Sequence, residues 1–248
     1  MAANDFKSAL IIVDLQEDFC PPVSTVHIYF SLAIWTLNDE SQNGSLAVPG
    51  GRDIIPVVNK LLHLPFDLKI ATKDWHPADH ISFASNHEGK KPYTDFTTII
   101  NPENPVERYE TRLWPDHCIQ NTKGAELVPG LDMNKIEKVI EKGQVTEVEM
   151  YSAFYTPLNK PRVGDSGLAG LLKNSGITDV FVVGLAADYC VFATAFDAAQ
   201  EGFKTYIVEE GTKPVDESFW KEKKEELKSR GVDVVSILGK EVKKVEDS

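Results

Sequence analysis

The chain has 248 residues and a formal net charge of −12, from 26 Lys and Arg against 38 Asp and Glu, a balance that argues against nucleic acid or an anionic membrane surface as partner. Its three cysteines, Cys20, Cys118 and Cys190, include no CxxC pair and are too few and scattered for a disulfide framework, which fits a reducing compartment. Met1–Lys7 has no signal-peptide core, the ending Val-Glu-Asp-Ser is neither a peroxisomal nor a prenylation signal, and the apolar run Ile28–Leu37 is too short to span a bilayer, so the expected location is the cytoplasm, with nuclear or peroxisomal presence left open.

No linker or internal repeat divides the chain, and one α/β domain over residues 1–248 is expected, long enough to bury a core without staples. Ala9–Val13 is a continuous apolar run and reads as a central strand ending in Asp14. Taken alone, Asp14 reads either as a cap of the following turn or as a general base. Asp53–Leu62 carries helical spacing, with Pro56 tolerable near its start, and Phe66–Thr72 is the next strand. That strand ends in Lys73-Asp74-Trp75-His76-Pro77-Ala78-Asp79-His80. Asp and His two apart in an extended segment point the same way, and carboxylate plus imidazole suits zinc, iron or manganese. A third ligand is needed, and His117 in Leu113-Trp114-Pro115-Asp116-His117-Cys118 is the candidate. Between them, 89–108 shows no clean periodicity and is expected to be a long functional loop.

Lys135–Glu141 alternates and reads as a strand with Lys142-Gly143 at its tip; alone, Lys142 reads as an ordinary surface lysine. Gly167–Asn174 is a short helix closed at Gly176. Val180–Gly184 is a buried strand, and the chain then turns into a helix expected over Tyr189–Glu201. That puts Cys190 at a helix start, where unpaired N–H groups and the helix dipole favour a thiolate; the bland alternative is a small packing cysteine. A strand at Lys204–Glu209, a helix at Ser218–Arg230 capped by Ser218 and a last strand at Val234–Leu238 complete a doubly wound, mainly parallel six-stranded sheet with helices on both faces.

Asp14, Asp74 with His76, Lys142 and Cys190 thus all lie at strand tips, which share one edge of a parallel sheet. From 9 to about 237, the motifs Ile11-Ile12-Val13-Asp14-Leu15-Gln16-Glu17-Asp18-Phe19, Gly44-Ser45-Leu46-Ala47-Val48-Pro49-Gly50, Asp74-Trp75-His76-Pro77, Trp114-Pro115-Asp116-His117-Cys118, Lys142-Gly143 and Gly184-Leu185-Ala186-Ala187-Asp188-Tyr189-Cys190-Val191 resemble the isochorismatase-like cysteine hydrolases, and within them the nicotinamidases. The resemblance implies a triad of Cys190 as nucleophile, Asp14 as general base and Lys142 as the positive charge beside them. It also implies an oxyanion hole from the N–H groups of Ala186 and Cys190 and a cis bond before Ala186. One divalent transition metal, zinc before iron or manganese, would sit on Asp74, His76 and His117, with His80 behind them. Phe19, Trp114 and Tyr151 would flank a flat ring.

The implied reaction is hydrolysis of nicotinamide to nicotinate and ammonia through a thioester, with pyrazinamide as a second substrate and NAD salvage as the setting. Another small-amide hydrolase, or a silent binding protein on the same fold, is the alternative; the latter predicts damage to a strand-tip residue, and none is found. No GxGxxG follows the first strand, which argues against a dinucleotide dehydrogenase. A homo-oligomer is compatible with these features. Residues 23–42 depart from the resemblance, because joining 22 to 43 restores its spacing. The insertion reads as a translated in-frame intron, because its apolar run Ile28–Leu37 has no evident core to face; the bland alternative is a true lineage-specific loop, for which an oligomer contact is one use.

Overall fold

The computed structural model describes residues 6–22 and 44–248, so the insertion at 23–42 lies outside the described residues. Along the described chain run β1 (Ser8–Val13), β2 (Leu68–Asp74), β3 (Phe96–Asn101), β4 (Asn104–Arg112), β5 (Lys138–Lys142), β6 (Asp179–Leu185), β7 (Lys204–Lys213) and β8 (Val232–Val235). Six of them form one sheet in the order β5-β2-β1-β6-β7-β8, and every neighbouring pair in it is parallel.

The central strand explains its own composition. All six residues of β1 are buried, because helices cover both faces of the sheet and leave no side for polar residues. Leu10 and Ile12 pack on one face with α1 (Ile55–Leu62) and the C-terminal helix, which includes Val242 and Val245. Ala9, Ile11 and Val13 face the other way, against α2 (Leu168–Asn174), α3 (Phe192–Gln200) and α4 (Glu217–Ser229). Each fully buried Leu or Ile contributes roughly 1.5–3 kcal/mol. From β1 the chain builds outward through β2 to β5, then returns to the other side of β1 for β6, β7 and β8. The order therefore reverses between β1 and β6, and the crevice at their carboxyl ends is where such sheets hold ligands.

Several sequence expectations need correction. The stretch expected as a loop over 89–108 contains most of an antiparallel hairpin, β3 with β4. Its buried positions are Ile99, Asn101 and Thr111, two of them polar, so the apolar periodicity of a strand was never present to read. The helix expected over Tyr189–Glu201 is a single π turn at Ala187–Val191 followed by α3. Helix α4 is capped by Asp216, whose side chain accepts from the Ser218 and Phe219 N–H groups, and not by Ser218. Met133–Lys135 forms a 3-10 turn, so β5 starts at Lys138. The last strand lies earlier than expected, and a further helix, α5 (Lys240–Glu246), follows it. Among the described residues no helix is long and apolar enough to cross a membrane.

Candidate active site

Three strand tips converge on Lys142. Asp14 follows the last residue of β1 and takes a left-handed backbone conformation, φ 45°, which turns the chain out of the sheet there; Asp tolerates this region better than most residues. Its carboxylate Oδ2 lies 2.9 Å from Lys142 Nζ, and its Oδ1 accepts from Thr72 Oγ1 at 2.6 Å. Lys142, the last residue of β5, also donates to Asp74 Oδ1 and to the Met150 carbonyl at 3.0 Å. Cys190 Sγ is 3.7 Å from the same ammonium. Lys142 and Asp14 are both buried, so the ammonium sits in low dielectric between two carboxylates and holds its proton firmly. Burial works against it, but Asp14 and Asp74 outweigh burial and push Lys142 well above its ordinary value.

The same environment separates the two carboxyls. Burial raises Asp14 to about 6 against the opposing Lys142 charge. Burial would raise Asp74 too, but Lys142, His76 and His117 together hold it far below the usual carboxylate range. Cys190 does not behave as its position suggested. Burial, with Asp14 and Asp74 behind it, pushes the thiol well above its ordinary value, and Lys142 only opposes this. The resting sulfur therefore keeps its proton, and it shares the Lys142 ammonium with the carboxylate of Asp14. The sequence expectation of a standing thiolate omitted desolvation, which outweighs one turn of helix dipole here.

Beside the triad, Asp74, His76 and His117 bring one donor atom each within 4.8 Å of the others. His76 Nδ1 donates to the Gly143 carbonyl at 2.8 Å, and His117 Nδ1 to the Pro115 carbonyl at 2.8 Å. Both bonds fix the tautomer with the Nε2 lone pair facing inward, the usual arrangement behind a metal-binding histidine. His76 Nε2 is buried with no hydrogen-bond partner and lies 3.6 Å from Asp74 Oδ2; His117 Nε2 lies 4.0 Å from that oxygen. One carboxylate and two imidazoles around an orphaned nitrogen fit a divalent transition metal. Gly143 is required here, since at its φ of 69° a Cβ would meet the His76 ring at 2.4 Å.

His80 stacks on His76 with ring centroids 4.1 Å apart. Its Nδ1 pairs with Ser82 Oγ at 2.8 Å and its Nε2 with the Val148 carbonyl at 3.1 Å. Both ring nitrogens are engaged, so it backs the cluster rather than joining it. Burial pushes His80 down to about 3 and His117 down to about 4, whereas at His76 the adjacent Asp74 carboxylate outweighs burial and raises it above its ordinary value.

A slot opens onto these groups, lined by Phe19, Trp114, Tyr151 and Ala186 among the expected residues and by Leu46, Tyr189 and Val215, which sequence reasoning missed. Trp114 Nε1 donates to the Tyr151 hydroxyl at 2.9 Å, and Trp114 and Tyr189 meet edge to face at 4.9 Å. Val215 is held by Asp188, whose two carboxylate oxygens accept from the N–H groups of Val215 and Asp216, both at 2.9 Å. The Leu185–Ala186 bond is cis, as the resemblance implied. Every expected site residue is at this one edge. Leu46 had a sequence signal in its glycine-flanked motif; Tyr189 adjoined the cysteine and went unread.

A model of the isochorismatase domain matches residues 8–237. A nicotinamidase of Acinetobacter baylyi is 41% identical over 84% of this chain and 82% of its own length. The solved yeast nicotinamidase bound to the inhibitor nicotinaldehyde superposes with a TM-score of 0.78 at 33% identity, over 92% of this chain and 99% of that one. The pyrazinamidase of Pyrococcus horikoshii in complex with zinc gives 0.64 at 32% identity, over 93% and 99%.

Proposed function

The chain belongs to the isochorismatase family, and on that premise we propose that Asp14, Lys142 and Cys190 carry out the hydrolysis of nicotinamide to nicotinate and ammonia. The activity follows from the nicotinamidase relatives. The observation that carries the residue assignment is the buried ammonium of Lys142, which touches Asp14, Asp74 and Cys190 at once.

In this route Asp14 takes the thiol proton as Cys190 Sγ attacks the carboxamide carbon. The N–H groups of Ala186 and Cys190 receive the developing oxyanion. Asp14 then hands its proton to the departing nitrogen, the C–N bond breaks, and ammonia leaves a thioester on Cys190. Water attacks that thioester, Asp14 takes the water's proton, the C–S bond breaks, and nicotinate leaves with the thiol restored. Lys142 keeps the proton-deficient states of both neighbours low in energy. Phe19, Trp114, Tyr151 and Tyr189 hold the flat ring in the slot and exclude water. Asp74, His76 and His117 would hold one divalent metal, zinc before iron or manganese, which when bound supplies a Lewis-acid pole for a ring nitrogen. Pyrazinamide carries a comparable nitrogen and is an expected second substrate. The setting is return of nicotinamide to pyridine nucleotide synthesis by a single-domain cytoplasmic enzyme, which the three free, buried thiols fit.

Ammonia release from nicotinamide, with metal content measured on the same sample, tests the reading. About one metal per chain and loss of nicotinamide binding on chelation are expected. No ammonia release would end the functional assignment, and undiminished affinity in metal-free protein would end the metal's role.

A further inference from the structure

At the tip of β2 the sheet runs short on one side. Strand β1 pairs with β2 as far as Ile12 opposite Ala71, and Asp14 then leaves the sheet with its left-handed turn. On the other side β5 continues to the end, pairing Asp74 with Lys142, and Trp75 donates its N–H to the Lys142 carbonyl at 2.9 Å. Strand hydrogen bonds alternate sides along the chain, so the N–H and C=O of Asp74 both face the side β1 has vacated. Left alone they would be two buried, unpaired backbone groups on the residue that holds Lys142 and faces the histidines.

The side chain of Gln16 fills that gap. Its Oε1 accepts from the Asp74 N–H at 2.8 Å, and its Nε2 donates to the Asp74 carbonyl at 2.8 Å. The carboxamide thus presents to Asp74 the acceptor and donor that a further residue of β1 would have presented. The second Nε2 hydrogen goes to the Ala125 carbonyl at 2.9 Å, so the amide is anchored from behind. Gln16 is fully buried, and both amide atoms are used. The amide orientation is fixed by these partners: a flipped amide would set oxygen against two carbonyls.

We propose that Gln16 is a positioning residue for the metal pole: it completes the β-ladder at Asp74 and so holds that carboxylate with Oδ1 on Lys142 and Oδ2 toward His76 and His117. The inference rests on the metal reading above. Residues that orient metal ligands through hydrogen bonds typically contribute about 10–100-fold in metal affinity. No other side chain offers a paired donor and acceptor in the same register: Asn is one methylene too short to reach, and Glu or Met lacks the donor.

The test is Zn2+ affinity, measured on metal-stripped protein by competition with a chromogenic chelator. Wild type, Gln16→Met, Gln16→Glu and the control Asn101→Ala are compared, each with its melting temperature. Asn101 is buried and hydrogen-bonded to Glu107 and the Pro161 carbonyl, outside the site, so it reports what lost stability alone does to Zn2+ binding. The expected result is a Zn2+ dissociation constant raised about 10–100-fold in Gln16→Met, with Asn101→Ala at the wild-type value despite its own lower melting temperature. If Gln16→Met does not fold, Gln16→Glu, which keeps the acceptor and the volume, carries the same expectation. A folded Gln16 variant within about threefold of wild type, or a control that weakens Zn2+ binding equally, overturns the proposal. A wild type that binds no Zn2+ fails the metal reading itself, and the two failures are distinct.

Discussion

Replacing Lys142 by Met tests the electrostatic core of the site. Methionine nearly matches the volume of lysine, so the change removes charge and hydrogen bonds with little cavity. It leaves Asp14 and Asp74 buried without the ammonium that touches both. Breaking a buried ion pair by deleting one partner costs about 3–5 kcal/mol. For a chain of this size that is roughly 6–20 °C of melting temperature, at about 2–4 °C per kcal/mol. The second consequence is chemical. Asp14 stands at about 6 with Lys142 pulling it down against burial, and a charge that close lowers a carboxyl by roughly 1–3 units. Without it, half or more of Asp14 is protonated at neutral pH and unable to accept the thiol proton. The acid limb of kcat/KM, which rises as Asp14 ionises, moves upward by the same 1–3 units or so. Ammonia release across a pH series, with calorimetry on the same samples, reads both effects. A Lys142→Met protein with an unmoved acid limb and an unchanged melting temperature refutes this account of the triad.

Cys190→Ala is expected to abolish turnover and keep nicotinamide binding, while Cys20→Ala and Cys118→Ala retain the chemistry; residual turnover above trace in Cys190→Ala rules out the thioester. Cys20 is pushed up to about 12 and Cys118 well above its ordinary value, chiefly by burial, so neither thiol should react with an alkylating agent in the folded protein, as thiol counting by mass will show. Trp114→Phe removes the indole donor from the Tyr151 hydroxyl, which keeps its Thr111 partner at 3.0 Å. A lost hydrogen bond of about 1 kcal/mol corresponds to roughly fivefold, expected in KM with kcat little changed; an unaltered KM would show that the pair does not shape the slot.

What could be read in the sequence was what burial on two faces leaves behind. β1 and β6 are continuous apolar runs because helices cover both sides, and their last residues mark the sheet edge where Asp14 and Cys190 meet. The hairpin of β3 and β4 had no such mark: it lies outside the main sheet, and two of its buried positions, Asn101 and Thr111, are polar. The site was legible as a set of residue types at strand tips, but not as an energetic balance. Sequence shows a helix start before Cys190; it does not show the desolvation that keeps the thiol protonated. Nor does Gln16, one residue of a polar run after β1, reveal that it replaces the missing strand beside Asp74.

The insertion at 23–42 can be tested from its described flanks. Leu46 and Val48 donate their N–H groups to the Asp18 and Phe19 carbonyls, both at 3.0 Å, and Gly44 donates to the Cys20 carbonyl at 3.2 Å. The chain on either side is thus clipped together, and Phe19 and Leu46 on the two arms both line the slot. Between Cys20 and Gly44 stand 23 residues; without 23–42 three remain, Pro21, Pro22 and Asn43, enough for a tight turn. At about 0.6 kcal/mol per doubling of loop length, the shortening relieves on the order of 2 kcal/mol of closure entropy. Because the clip is held by backbone bonds within the arms, the slot should not feel the deletion. The protein lacking 23–42 is therefore expected to melt roughly 4–8 °C higher and to hydrolyse nicotinamide with unchanged KM. Aggregation, a lower melting temperature or lost activity would instead mean that the insertion packs on the fold or on a second copy as a true loop.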